Sequence, residues 1–395
     1  MNDEVAGQHA GNAQWRGIMV APDPAGTLRG LRNAGYTTEA AVADLLDNSL
    51  QSGATSICVD LVEDGPRRLE IRDNGHGMSA ETLTEAMRIS ARPGPDSGGQ
   101  PLGHYGIGMK AAALHLSSAG HMEVDSRDAA GDGGRTGWSL AGVARDGWIL
   151  RMGPPERTEP GTTVTVHDPV LPETEEAGAV LASVAAHLGL VFAHFIRQGV
   201  QITVQGHTVE ARDPCDPEAE GVRRLGPWPL PDRRGQVTLL IVPAAGLPTE
   251  STAEHRKFAG IHLRRAGRTI TSGGWLQLLP ARTRSDAADR LRLRIDIPGD
   301  EIEAWRIGVA KAGATIPAAL LPRLREIVQD GLKRAGRQRG LRPDAGQSRS
   351  PRSAELSPWL ADGRIDRAHP HVQAALDEPS RERVEQLLKS IERMI

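Results

Sequence analysis

Three short runs between residues 44 and 110 place acids, an amide and glycines at spacings suited to phosphate chemistry. In Asp44-Leu45-Leu46-Asp47-Asn48 the acid Asp44 and the amide Asn48 are four residues apart, so on a helix they sit one turn above each other. That spacing lets a carboxylate and a carboxamide address one small site. In Asp73-Asn74-Gly75-His76-Gly77-Met78 an apolar strand runs into an acid followed by two glycines. Glycines allow backbone angles and close approach that side chains would block, and an Asp at a strand end can accept a hydrogen bond from an exocyclic amine. In Gly103-His104-Tyr105-Gly106-Ile107-Gly108-Met109-Lys110 glycine amides precede an Ala/Leu helix, an anion-binding concavity to which Lys110 adds charge. This run is not a Walker A loop, which needs Gly-Lys-Ser/Thr, and no βαβ unit makes it a dinucleotide fingerprint. Singly, the first two runs read more readily as a solvated helix face and a plain hairpin turn. In this order they describe a nucleotide pocket.

The elements that must position them are legible nearby. Val42, Leu45, Leu46 and Leu50 give one apolar helix face after Thr37, with Thr37 or Thr38 as cap and Glu39 at the positive end of the dipole. Ile57, Val59 and Leu61 alternate as a strand, and Leu69 and Ile71 as another that ends at Asp73. Ser79 and Glu81 open a short helix, and the Gly/Pro-rich residues 91–102 make a lid-like loop. Strand-like runs follow at 121–127, 137–144, 147–151 and 162–167, where the Thr162 hydroxyl can complete a base-binding network, then a helical stretch near 174–198.

The 395 residues carry 25% charged side chains and a net charge of −3, so the whole chain is no polycation and has room for two or three domains. Arginine outnumbers lysine 42 to 5, which makes each lysine informative; Lys110 and Lys311 fall where a phosphate-binding lysine would be wanted. Cys58 and Cys215 lack metal-ligand spacing and are expected to be reduced, and no apolar run suits a signal peptide or a bilayer span. These features predict a cytoplasmic protein. The thirteen histidines show no zinc-ligand spacing.

The set Asp44…Asn48, Asp73-x-Gly75-x-Gly77, Gly103-x-x-Gly106-x-Gly108 and Gly161-Thr162 resembles the four ordered motifs of the GHKL ATPases (gyrase B subunit, heat-shock chaperone, histidine kinase, MutL). Gly35-Tyr36 with the Asp44–Leu50 run, and Tyr105 to Lys110, look most like the MORC-type branch and its bacterial relatives. The resemblance covers residues 28–200, with a looser continuation to 335. It implies an α+β fold: a Bergerat-type α/β sandwich, with a mixed sheet and helices on one face, followed by an α+β transducer-like domain. It implies ATP and Mg²⁺, with Asn48 as the metal ligand, Asp73 on the adenine amine assisted by Thr162, and Met78 on the ring. Gly75 and Gly77 shape the adenine turn, while Gly103, Tyr105, Gly106, Ile107, Gly108, Met109 and Lys110 wrap the phosphates. Asp44 stands where the family usually has the water-activating glutamate. Its side chain is about 1.5 Å shorter, so slow hydrolysis is expected. Gln51 departs from the family's usual Asp.

Beyond residue 200, Gln201 to Val204, Val237 to Val242, Gly260 to Ile270 and Leu291 to Ile297 read as strands, followed by a helix from Pro317 to Leu332. On the resemblance, Lys311 is the lysine that reaches back to the γ-phosphate. Residues 333–352 hold seven Lys/Arg and one Asp, a basic stretch able to track nucleic-acid phosphates or serve as a linker. Val384, Leu387, Leu388, Ile391 and Ile395 mark an amphipathic helix. The expected organisation is a flexible arm (1–26), an ATP-binding domain (27–200), a transducer-like domain (201–335), a basic linker (336–365) and a helical segment (366–395). The expected function is a Mg-dependent, slow ATPase acting as an ATP-gated dimeric clamp. Its partners would be a second copy and DNA or a protein client, with no membrane. The alternative is a nucleotide-dependent, chaperone-like scaffold with negligible turnover. A sensor histidine kinase is disfavoured because no phosphoacceptor helix is read before Thr37, and a topoisomerase because no acidic cleavage domain is read after the second domain.

Overall fold

A computed structural model describes residues 18, 20–89, 106–172, 175–231, 234–248, 250–279, 285–308, 311 and 313–337. The lid loop at 91–102, Gly103, Tyr105, most of the arm, the basic stretch from 338 onward and the C-terminal helix lie outside the described residues.

Period-two alternation of apolar residues builds a first sheet. Its strands are β1 (Ser56–Val62), β2 (Arg68–Asp73), β3 (Ser117–Arg127), β4 (Gly133–Ser139), β5 (Met152–Gly153), β6 (Gly161–Pro169), β7 (Gln201–Val204) and β8 (His207–Thr208), in the order β5-β4-β3-β6-β2-β1-β7-β8. Only the β1–β7 pair within it is parallel. Ile57, Val59, Leu69, Ile71, Met122, Val124, Val164 and Val166 bury one face of this mixed sheet. Into the same core pack residues of α1 (Pro24–Arg32), α2 (Thr38–Gln51), α3 (Ala80–Met87), α4 (Gly108–Leu116), α5 (Leu140–Asp146) and α6 (Glu175–Val191), the last followed by α7 (Ala193–Arg197). The opposite face carries half-exposed Asp60, Glu70, Glu123, Thr163 and Thr165. This is the expected α+β sandwich.

A second sheet has β9 (Arg223–Pro229), β10 (Gln236–Ile241), β11 (Gly260–Arg265), β12 (Arg268–Ser272) and β13 (Leu291–Ile297), in the order β12-β11-β13-β10-β9. Two short helices, α8 (Thr252–Lys257) and α9 (Asp286–Asp289), join its strands. Leu324, Ile327 and Val328 of α10 (Leu321–Arg337) pack on Leu239, Leu291, Leu293 and Ile295 to close this second core.

Local chemistry explains where elements depart from the sequence reading. The 137–144 run is strand only to Ser139; its hydroxyl accepts from the Gly142 N–H at 3.0 Å and starts α5. The 147–151 run is irregular, with β5 following it. Helix α1 begins at Pro24, inside the segment assigned to the arm, because Asp23 caps it and proline suits the first turn. Strand β9 has no counterpart among the expected strands: it is largely exposed and holds Pro227 and Pro229, which an edge position tolerates. Both cysteines are free thiols, Cys215 buried and Cys58 half-buried. Among the described residues no helix is long and apolar enough to cross a membrane.

Candidate nucleotide site

Helix α2 organises the site. Thr37 caps it through the Ala40 N–H, and its residues from Ala40 to Asp47 are all buried. Asp44 is 2% exposed and both of its oxygens are engaged. Tyr36 donates its hydroxyl to Oδ2 at 2.7 Å, and Lys311 donates its ammonium to Oδ1 at 2.5 Å. A side chain at Gly108 would place its Cβ 2.7 Å from Asp44 Oδ2, so the glycine turn lies directly against this carboxylate. Asn48, one turn later, is exposed and donates through Nδ2 to the Asp44 carbonyl at 3.2 Å.

The same helix reaches Asp73. Ser49, next to Asn48, donates its hydroxyl to Asp73 Oδ2 at 2.8 Å, while Oδ1 accepts from the Gly75 N–H at 2.9 Å and the Thr162 N–H at 3.2 Å. The Thr162 hydroxyl sits 3.0 Å from that of Ser126. Behind Asp73, the Arg157 guanidinium donates to the Asp73 carbonyl at 3.0 Å and to the Thr163 hydroxyl at 2.7 Å, tying the end of β2 to the start of β6. Gly77 has φ +67 and packs so closely on the Arg127 carbonyl that any Cβ would overlap it. Met78 is half-buried against the first core.

The described end of the glycine run is Gly106 (φ +62), Ile107 and the first turn of α4. Among the described residues no side chain caps α4. Lys110 is placed differently from the expectation: it is buried, and its ammonium donates to the Ala86 carbonyl at 2.6 Å. That bond uses one of the three N–H donors of the ammonium. Burial lowers its pKa from 10.5 to about 8. The unfolded chain therefore binds a proton that the folded chain releases above pH 8, so this group makes stability rise with pH between about 8 and 10. Above about pH 9 the Cys215 thiol opposes the rise, because burial keeps it protonated in the folded chain, and near pH 10 Tyr36 does so too through burial and the Asp44 carboxylate. Denaturation midpoints should rise between about pH 8 and 9 in the native protein and lose that rise in Lys110→Met.

The largest departure from the sequence reading is a buried charge cluster. Lys311, from the connection after β13, donates to Asp47 Oδ2 at 2.6 Å as well as to Asp44. Arg268, on β12, places Nε 2.8 Å from the Asp47 carboxylate. Two anions, two cations and the Tyr36 phenol thus join the second sheet to α2. Asp47 and Ser49 stand inside the sequence run that flagged Asp44, with Asp47 three residues on and so on the same helix face. Arg268 carried no sequence signal at all.

Comparison with known proteins identifies the class. The family model for the histidine kinase-, DNA gyrase B- and HSP90-like ATPase matches residues 36–158. That segment is a GHKL ATPase domain. DNA mismatch repair protein MutL of Sphingopyxis alaskensis is 33% identical over 117 residues, covering 29% of this chain and 18% of the relative. MutL of Herminiimonas arsenicoxydans is 33% identical over 130 residues, covering 33% and 21%. MutL of Deinococcus radiodurans is 29% identical over 197 residues, covering 47% and 34%. The chain thus matches about a third or less of these relatives' own length.

The GHKL domain's residues fit a magnesium nucleotide. Asp73 accepts three protein hydrogen bonds, and a carboxylate takes about four, so one position suits an amine. The uncapped first turn of α4 offers N–H donors to an anion. Among the described residues no cluster of three or more His, Cys, Asp or Glu exists to cage a metal. Mg²⁺ needs no such cage, since it keeps waters and binds one or two protein groups plus phosphates.

Proposed function

We propose that this chain is a Mg-dependent, slowly hydrolysing ATPase that works as an ATP-gated dimeric clamp. The observation that supports it most is the convergence on one turn of α2: Asp44 against Gly108, Asn48 exposed, and Ser49 bonded to Asp73. On this reading Asp73 selects adenine and Asn48 holds the metal, which lowers the charge repulsion at the phosphates. The Gly106 and Gly108 turn binds the phosphates together with Ile107, Met109 and Lys110, and with Gly103 and Tyr105 outside the described residues. Asp44 takes the proton from the attacking water once Lys311 moves from its Oδ1 toward phosphate. Residues 27–200 act as the ATP-binding domain and 201–335 as the transducer, coupled through Lys311. A cytoplasmic location, MORC-type affinity and DNA as the clamped partner belong to the same proposal. The MutL relatives, named for DNA mismatch repair, favour DNA over a protein client.

The test is mass in solution by light scattering at micromolar chain concentration, with and without a non-hydrolysable ATP analogue. The expected result is doubling of mass with the analogue. An unchanged monomer under both conditions contradicts the clamp.

A further inference from the structure

We propose that Asp47 is the positioning residue for Lys311, with Arg268 setting Asp47 in turn. The turnover part of this inference rests on the ATPase reading above; the structural part does not. Lys311 has three ammonium protons, and the structure engages two, on Asp47 Oδ2 at 2.6 Å and on Asp44 Oδ1 at 2.5 Å. The two carboxylates differ in what else holds them. Among the described residues Asp44 meets a neutral phenol beside the lysine, whereas Asp47 also pairs with Arg268, a side chain 2% exposed at the start of β12. Asp47 is therefore the fixed post and Asp44 the exchangeable partner.

Arg268 is itself held in place. Its Cζ lies 5.9 Å from the Phe192 ring centroid, and Nη1 donates to the Thr269 carbonyl at 3.3 Å. Lys311, by contrast, sits in a connection with φ +48, a backbone region that side-chain-bearing residues seldom enter unless something holds them there. Asp47 supplies that hold. Anchored on Asp47, the ammonium can exchange Asp44 for a phosphate at the α4 turn by a small pivot, because Gly108 borders Asp44. Asp47 touches no reacting atom in this scheme and acts only through the lysine.

The experiment uses the full chain and follows acylation of Lys311 by a small N-hydroxysuccinimide ester, read by peptide mass spectrometry against exposed Lys333. Asp47→Asn removes the post. Asp47→Asn combined with Arg268→Gln does so without leaving a buried arginine unpaired, and keeps the test available if the single variant does not fold. Relative labelling of Lys311 is expected to rise about tenfold or more, as befits loss of one charge-assisted hydrogen bond. In turnover, the combined variant and Lys311→Met should each lower kcat. Joined in one chain they should lower it no further, because independent structural effects multiply whereas steps in one linkage do not. Unchanged labelling in the charge-balanced variant, or multiplied kcat losses, overturns the proposal. A native chain without ATP turnover would defeat the ATPase reading instead, and labelling alone would then decide for or against Asp47.

Discussion

Asp44→Asn is expected to lower ATP turnover about 10²- to 10⁴-fold, the usual cost of removing a general base, with a much smaller change in nucleotide affinity. Asp44 is the carboxylate that borders the α4 turn, since the Cβ position of Gly108 lies 2.7 Å from its Oδ2. The neighbouring carboxylate cannot replace it, because Asp47 already accepts from both Arg268 and Lys311. Asparagine keeps the side chain's shape and one acceptor but cannot take a proton. Asp44→Glu extends the carboxylate by about 1.5 Å and should raise turnover if reach to the water limits the native protein. Steady-state phosphate release for the three chains reads both effects. Equal rates for Asp and Asn would show that the native carboxylate does no chemistry, and would favour the scaffold reading.

Asp47→Ala is expected to destabilise the fold by about 3–5 kcal/mol, the cost of stranding a buried charge. Arg268 and Lys311 are 2% and 10% exposed, and Asp44 would be the one carboxylate left in the cluster for two cations. The four-charge set as a whole is neutral, so its net contribution is far smaller than the loss caused by breaking it. Chemical denaturation of the native chain, Asp47→Ala and the charge-balanced Asp47→Asn/Arg268→Gln separates the two quantities. The balanced variant should recover most of the loss. A native-like midpoint for Asp47→Ala contradicts the cluster.

Much of the site was legible because its chemistry is local. Asp44 and Asn48 share a helix face by spacing, Asp73 ends an alternating strand, and Ser79 caps a helix as its type suggests. The parts that were not legible depend on tertiary contacts. Lys110 follows a glycine turn, as phosphate lysines do, yet α4 buries it and the Ala86 carbonyl takes its ammonium. Nothing in the order of residues says which way a helix turns that side chain. Lys311 stood out through the scarcity of lysine, but its two carboxylate partners lie more than 260 positions away. Arg157 looks like one arginine among many, and only the folding of its loop behind β2 brings it to the Asp73 carbonyl. At Ser139 a strand gives way to a helix, because its hydroxyl caps a run whose Leu140, Ala141, Ala144 and Arg145 favour the helix.

The proposed function requires α2, Asp73 and the α4 turn to meet around one magnesium nucleotide. Isothermal titration calorimetry of the full chain with ATP and Mg²⁺ tests this most directly, run beside Asp73→Asn. One nucleotide per chain is expected, bound about tenfold or more weakly by the variant, because asparagine keeps only one acceptor oxygen, already used by the Gly75 and Thr162 N–H groups, and turns an NH2 donor to the position that would accept the adenine amine. Absence of heat from the native chain, or identical isotherms for the two proteins, would contradict it.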